Sequence, residues 1–250
     1  SLRVWRDRNS NGVSETGELV TLSEAGVQSI GVAYSNSNTV DLNSNEHRQI
    51  GSYVTTTGQT RAAEDVWFQV DRTNSIATET VAVSPDIAAL PDDAGFGKVY
   101  SLQQAMARDT SGALKNVVTQ FSSASTVAER ESLLQTIIYK WTGVENIDPN
   151  SRAATMIYGN AIGDARKLEA LEEFMGEDWY GVWCWGTQDP NPHGQAAPVL
   201  LKAYADLSEQ IYAQLAAKSY LKPLYDKIEY VWDSNLHTFN GNLSGVAAEI

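Results

Sequence analysis

The chain has 250 residues, 42% of them apolar, and sets 31 acidic side chains against 18 basic ones, for a formal net charge of -13. This is enough material for one large or two modest domains. The charge excludes nucleic acid and anionic membrane as partners, because phosphate binding needs a positive face.

A single cysteine, Cys184, excludes an internal disulfide framework, and three scattered histidines give no zinc spacing, so Asp and Glu must supply any metal site. No apolar run of about 18 residues occurs, so no membrane span is expected. The first residues, Ser1 to Arg6, are neither a signal peptide nor a full helix, and the chain reads as cut from something longer. Leu2 and Trp5, three apart, fit the last turn of a helix entering the next segment.

That segment, Asp7 to Glu18, fits the calcium-loop pattern D-x-[DN]-x-[DN]-G-x5-E at every specified position. Asp7, Asn9 and Asn11 offer side-chain oxygens, Gly12 permits the sharp bend, Val13 turns its carbonyl inward, and Glu18 closes the shell with both oxygens. Glu15 contributes directly or through water. Hard oxygen donors of this kind suit Ca2+ better than zinc or copper. The competing reading is an Asx-rich turn that binds nothing. Arg3, Arg6 and Arg8 crowd the loop and two of its first three ligands are uncharged, so the expected affinity is weak, around 10⁻⁴ to 10⁻³ M.

Leu19 to Ala25 is expected as the helix leaving the loop, with Thr21 and Glu24 in capping-box spacing and Gly26 as its stop. Val27 to Tyr34, Gln49 to Thr55 and Ala63 to Val70 read as three strands of an antiparallel sheet, with Thr57-Gly58-Gln59 as a hairpin turn. Asn36 to Glu46 reads as a loop. Its Asp41-Leu42-Asn43-Ser44-Asn45 mimics half a calcium loop without the glycine or closing glutamate. Asp71 to Asp86, rich in Thr, Ser and Ala, reads as a linker.

From Leu90 the pattern turns helical. Lys98 to Asp109 is one expected helix, and Leu114, Val117, Val118 and Phe121 mark a second. Thr126 with Glu129 is a capping box opening a third, which runs to Gly143. Asp164 caps a fourth ending at Gly176. Pro198 suits the first turn of a long fifth, and Tyr220 to Trp232 makes a sixth. The expected fold is α+β but mainly α: residues 1-80 as an EF-hand-like calcium loop with a small antiparallel sheet and linker, residues 81-250 as an α-helical bundle of about six helices.

Two stretches carry a family resemblance. Leu2-Arg3-Val4-Trp5 with the calcium loop, Gly17-Glu18-Leu19 and the run Thr21 to Ile30 resemble a segment of large secreted RTX-type calcium-binding proteins of Gram-negative bacteria. Leu90-Pro91, Gly97 to Leu102, Trp141-Thr142-Gly143, Asp164 to Leu168 and Leu171 to Phe174 resemble the helical region that follows it there. The resemblance implies a parent protein with further domains, exported to the cell surface or medium by type I secretion, folding in millimolar calcium. The nonapeptide calcium repeat of that family is absent from this chain.

Candidate chemistry beyond calcium is sparse. Trp179 to Gly186 is the densest aromatic cluster. It reads first as core and second as a surface stacking an extracellular glycan or peptide, with Cys184 in it as a small hydrophobe or a nucleophile. Asp148-Pro149 and Asp189-Pro190 raise an enzymatic alternative, because some proteins of the resembled family cleave themselves at Asp-Pro when calcium binds. Glycan-directed hydrolysis is another, with Glu172, Glu173, Glu177 and Asp178 as carboxylates, although adjacent helical glutamates read first as a solvated face. His193 lies in a loop and can be a ligand, a base or incidental. No residue is assigned as catalytic.

Overall fold

The computed structural model describes residues 2-152, 155, 159-182 and 185-248. The chain divides into two compact units, Ser1–Asp71 and Arg72–Ile250.

Among its described residues the first unit contains strands and turns but no helix. β1 (Arg3–Trp5) and β2 (Leu19–Thr21) pair antiparallel, with Val4 opposite Val20, and the twelve-residue loop closes them as a hairpin. The expected EF-hand-like frame is therefore corrected: strands, not helices, enter and leave the loop. The physical reason lies in Val4, Trp5, Val20 and Thr21, β-branched and aromatic residues that fit a pleated ladder. The capping-box bonds of Thr21 and Glu24 do form, with Glu24 N–H donating to Thr21 Oγ1 at 3.2 Å. They close a single turn that ends at Gly26.

β5 (Glu46–Thr55) is the centre of the remaining sheet. One of its edges pairs with β6 (Thr60–Trp67), and the other pairs in succession with β3 (Val27–Ile30) and β4 (Ser35–Val40). The strand expected over Val27 to Tyr34 is shorter, and half of the expected loop Asn36 to Glu46 is strand. At the break Gly31 lies on β5 so closely that a Cβ would stand 3.0 Å from the Ser52 carbonyl oxygen.

The second unit begins with the segment expected as linker. It is tied down: Gln104 bonds both the N–H and the carbonyl of Val81 at 2.9 Å, and Arg108 donates to the Glu79 carbonyl at 2.8 Å. The helices α1 (Pro85–Ala88), α2 (Leu102–Arg108), α3 (Ala113–Ser123), α4 (Val127–Trp141), α5 (Ala165–Met175) and α6 (Ala196–Ala217) follow. The helix expected over Lys98 to Asp109 is shorter, starting at Leu102 with Ser101 as its cap, and α1 is unexpected, but two start signals act as the sequence suggests. Thr126 and Glu129 make both bonds of the capping box, and Asp164 accepts from Arg166 N–H. Apolar stripes meet in one core in which Phe121, Ile137, Ile138 and Leu168 are fully buried, and Trp141 meets Phe174 edge-on at 5.2 Å. At Gly97, with φ +64°, a Cβ would stand 2.3 Å from the Phe174 carbonyl oxygen, so the turn before α2 can approach α5 only with glycine there.

Between α5 and α6 lies the two-residue pair β7 (Gly181–Val182) and β8 (Gln188–Asp189). After α6 the expected helix Tyr220 to Trp232 is replaced by a single turn, α7 (Lys222–Tyr225), and a hairpin of β9 (Glu229–Asp233) and β10 (Thr238–Asn242), before a last turn α8 (Ser244–Ala247). The run Glu229-Tyr230-Val231-Trp232 is β-branched and aromatic, and strand pairing overrides its helical spacing. Among the described residues helix and strand account for 32% and 20%, in eight helices and four small sheets. The fold is thus mixed α and β, not mainly α and not a helical bundle.

Candidate functional site

The loop Asp7 to Glu18 is organised by its own carboxylates. Asp7 accepts from the backbone N–H groups of Gly12 at 2.8 Å and Asn11 at 3.2 Å, Asn9 Oδ1 accepts from Asn11 N–H at 3.2 Å, and Asn11 Oδ1 accepts from Val13 N–H at 2.8 Å. These are nested Asx turns, which the spacing of Asp and Asn at alternate positions favours. Gly12 adopts φ +71° with open space around it, so its need is conformational rather than steric.

Glu18 closes the ring from the far side. Its two oxygens accept from Arg8 N–H and Glu15 N–H, each at 3.0 Å, and from the Trp5 indole at 3.2 Å. Only 4% of Glu18 is exposed, and no other described residue of the first unit is buried. The Arg8 and Glu15 N–H groups hold its carboxyl below the ordinary glutamate value, against the opposing effect of burial.

The donor set matches a hard cation in chemistry: carboxylates at Asp7, Glu15 and Glu18, amide oxygens at Asn9 and Asn11, and the Val13 carbonyl in the seventh position. The arrangement is less open than the spacing suggests. Asn9 and Asn11 turn their NH2 groups onto Glu15 at 3.0 and 3.2 Å, and among the described residues no three His, Cys, Asp or Glu side chains converge as a metal cluster. At Asp41 the half-loop is a closed turn whose carboxylate accepts from Asn43 and Asn45, while His47 stands between Asp41 at 3.8 Å and Glu64 at 2.5 Å.

In the second unit Glu172 corrects the expectation of a solvated glutamate face. It is 2% exposed and holds Arg152 through two bonds of 2.6 and 2.8 Å, while Arg152 also reaches Glu169 and the Pro190 carbonyl. Burial pulls the Arg152 guanidinium down, but its bonds to Glu172 and Glu169 leave it raised. Sequence reasoning missed this pair. The only available signal was the i,i+3 spacing of Glu169 and Glu172, which places both on one helix face. Asp148 and Asp189 each accept a 2.9 Å bond from the N–H two residues on, past their prolines, as turn residues do. His193 Nε2 lies 3.8 Å from Asp189. Glu173 lies 3.6 Å and Asp178 3.2 Å from Lys98, and Glu177 lies 3.4 Å from Arg72. Trp183 and Cys184 fall outside the described residues.

Residues 1-69 match the family described as SPM domain. The chain is also 27% identical over 279 aligned positions to the iron-regulated protein FrpA of Neisseria meningitidis serogroup C, covering 98% of this chain and 24% of that protein. It thus spans about a quarter of the length of this relative. Among the described residues no helix is long and apolar enough to cross a membrane.

Proposed function

We propose that this chain is a calcium-binding, calcium-stabilised module of a large exported RTX-type protein, its first unit ordered by the ion and its second serving as a structural or ligand-binding part. The observation that carries the reading is Glu18. Burying a carboxylate costs free energy unless strong partners compensate it, and among the described residues Glu18 is the sole buried one of a unit with no buried apolar side chain. Small scaffolds with so little buried apolar surface depend on a staple, and a metal is one kind. On binding, Glu15 would exchange its two asparagine amides for the ion, with Asp7, Asn9, Asn11, Val13 and Glu18 completing the shell and a water filling the last position. The similarity to FrpA along nearly the whole chain, together with the RTX-type resemblance, supports export, by type I secretion in this proposal, and contact with other domains of the parent. For the second unit, the aromatic segment Trp179 to Trp185 is the surface put forward for an extracellular glycan or peptide.

Titration calorimetry with Ca2+ on the wild-type chain and on Glu18→Gln tests the reading. Wild type is expected to bind one ion in the range of about 10⁻⁴ to 10⁻³ M found for extracellular modules, and the variant roughly tenfold or more weakly, since even outer-shell changes carry that much. Unchanged affinity in the variant would remove Glu18 from the shell. No binding to wild type would remove the calcium reading.

A further inference from the structure

Between β7, β8 and the start of α6 lies a cleft of about 180 Å³, lined by Trp179, Val182, Asp189, Asn191 and His193. At roughly 30 Å³ per water it holds about six waters, below the roughly 300 Å³ at which clefts for drug-sized ligands begin. One side is an indole that also packs on the helical core. The lining also includes a carboxylate, a carboxamide and an imidazole within five residues, Asp189, Asn191 and His193.

Both walls are fixed to the same buried ion pair. Glu172 accepts from Trp179 N–H at 2.8 Å, and Arg152, held by Glu172, donates to the Pro190 carbonyl at 2.6 Å. A buried ion pair is weak evidence for stability, because its desolvation cost offsets its attraction. One that ties Trp179, through Glu172, to Pro190, through an Arg152 that lies 38 residues before it in the chain, sets the width of the cleft between them, as supporting shells do for preorganised sites. The floor is close-fitting as well: a Cβ on Gly181 would stand 2.9 Å from the Trp179 ring.

We infer that this cleft binds a single neutral pyranose ring, the terminal residue of a glycan, with its C–H face against Trp179 and its hydroxyls on Asp189 and Asn191. The size admits one ring. The mixed side chains call for groups that donate and accept at once, as hydroxyls do and a hydrocarbon does not. Asp189 opposes an anionic ligand, and its charge is already met in part by the Asn191 N–H and Nδ2, which donate to Oδ1 at 2.9 and 3.2 Å. The inference names the ligand class for the second unit's contact surface and rests on that part of the proposed function, but not on calcium.

The test uses the full chain and methyl glycosides of glucose, galactose, mannose and N-acetylglucosamine, with saturation-transfer NMR as the readout, in calcium and again in chelator. At least one glycoside is expected to receive saturation, in both conditions. Its signal should fall at least severalfold in Asn191→Ala and in Val182→Trp, which places a bulky ring over the mouth from a position already 70% exposed and so keeps the fold. Silence from all four glycosides, or a signal undiminished in a folded Val182→Trp, would overturn the inference, as would displacement of the glycoside by tetramethylammonium, which would mark the cleft as a cation site. Loss of signal only in chelator would also count against it, and calcium affinity measured on the same samples separates that failure from failure of the calcium reading.

Discussion

Glu18 shows how one side chain makes a loop sensitive to its surroundings. Its carboxyl is held below the ordinary value of 4.5, first by Arg8 N–H and then by Glu15 N–H. A group whose folded value is depressed contributes stability that is complete above its unfolded value and is lost as pH falls through the folded one. The first unit is therefore expected to loosen on acidification from 4.5 downward, read by the fluorescence of Trp5, whose indole donates to Glu18. Glu24 and Asp41 shift in the same direction through their own turn bonds, so Glu18→Gln should flatten the pH dependence without abolishing it. An acid profile of Trp5 identical in wild type and variant would mean that Glu18 is not the group that titrates.

At the scale of elements, α4 is the helix whose start is most completely specified. Thr126 Oγ1 accepts from Glu129 N–H at 3.2 Å, and the Glu129 carboxylate accepts from Thr126 N–H at 3.0 Å. Thr126→Ala removes the first bond and should cost about 1 kcal/mol, a fall in Tm of about 2 to 4 °C for a domain of this size. A calorimetric scan with no shift would mean that the cap is redundant with the packing of Leu134, Ile137 and Ile138. The same comparison shows what was legible in the sequence. α4 and α5 could be read because their caps and 3.6-residue stripes agree with each other, and α3 and α6 from their stripes. The flanks of the calcium motif could not, since Thr21 and Glu24 carry a genuine helix-start signal that β pairing of Val4 with Val20 confines to one turn. Tyr220 to Trp232 failed likewise, because its apolar spacing does not distinguish a helix from a turn followed by a strand. The loop ligands were legible one by one from their spacing. The orientation of the Asn9 and Asn11 amides toward Glu15 was not, since it depends on three side chains meeting in space.

The two units differ in what can hold them together. Every residue of the hydrophobic core lies at or beyond Ile87, whereas Ile30, Val32, Tyr34, Trp67 and Phe68 of the first unit are all at least 46% exposed. Unfolding of the second unit releases a conventional apolar core. The first unit has strand ladders and the bonded loop, and sheets without a buried hydrophobic face are marginal in water. A ligand bound only by the folded form adds RT ln(1 + [L]/Kd), about 1.4 kcal/mol at ten times Kd, which is large beside the stability such a unit can supply itself. Calcium is therefore expected to raise the melting of the first unit while leaving that of the second in place. Thermal unfolding followed separately by sheet-region and helical circular dichroism, with millimolar calcium and then with chelator, should show two transitions of which only the earlier moves. A single transition that shifts as a whole would mean that the ion stabilises both units together, and helix lost on chelation would contradict the division at Asp71.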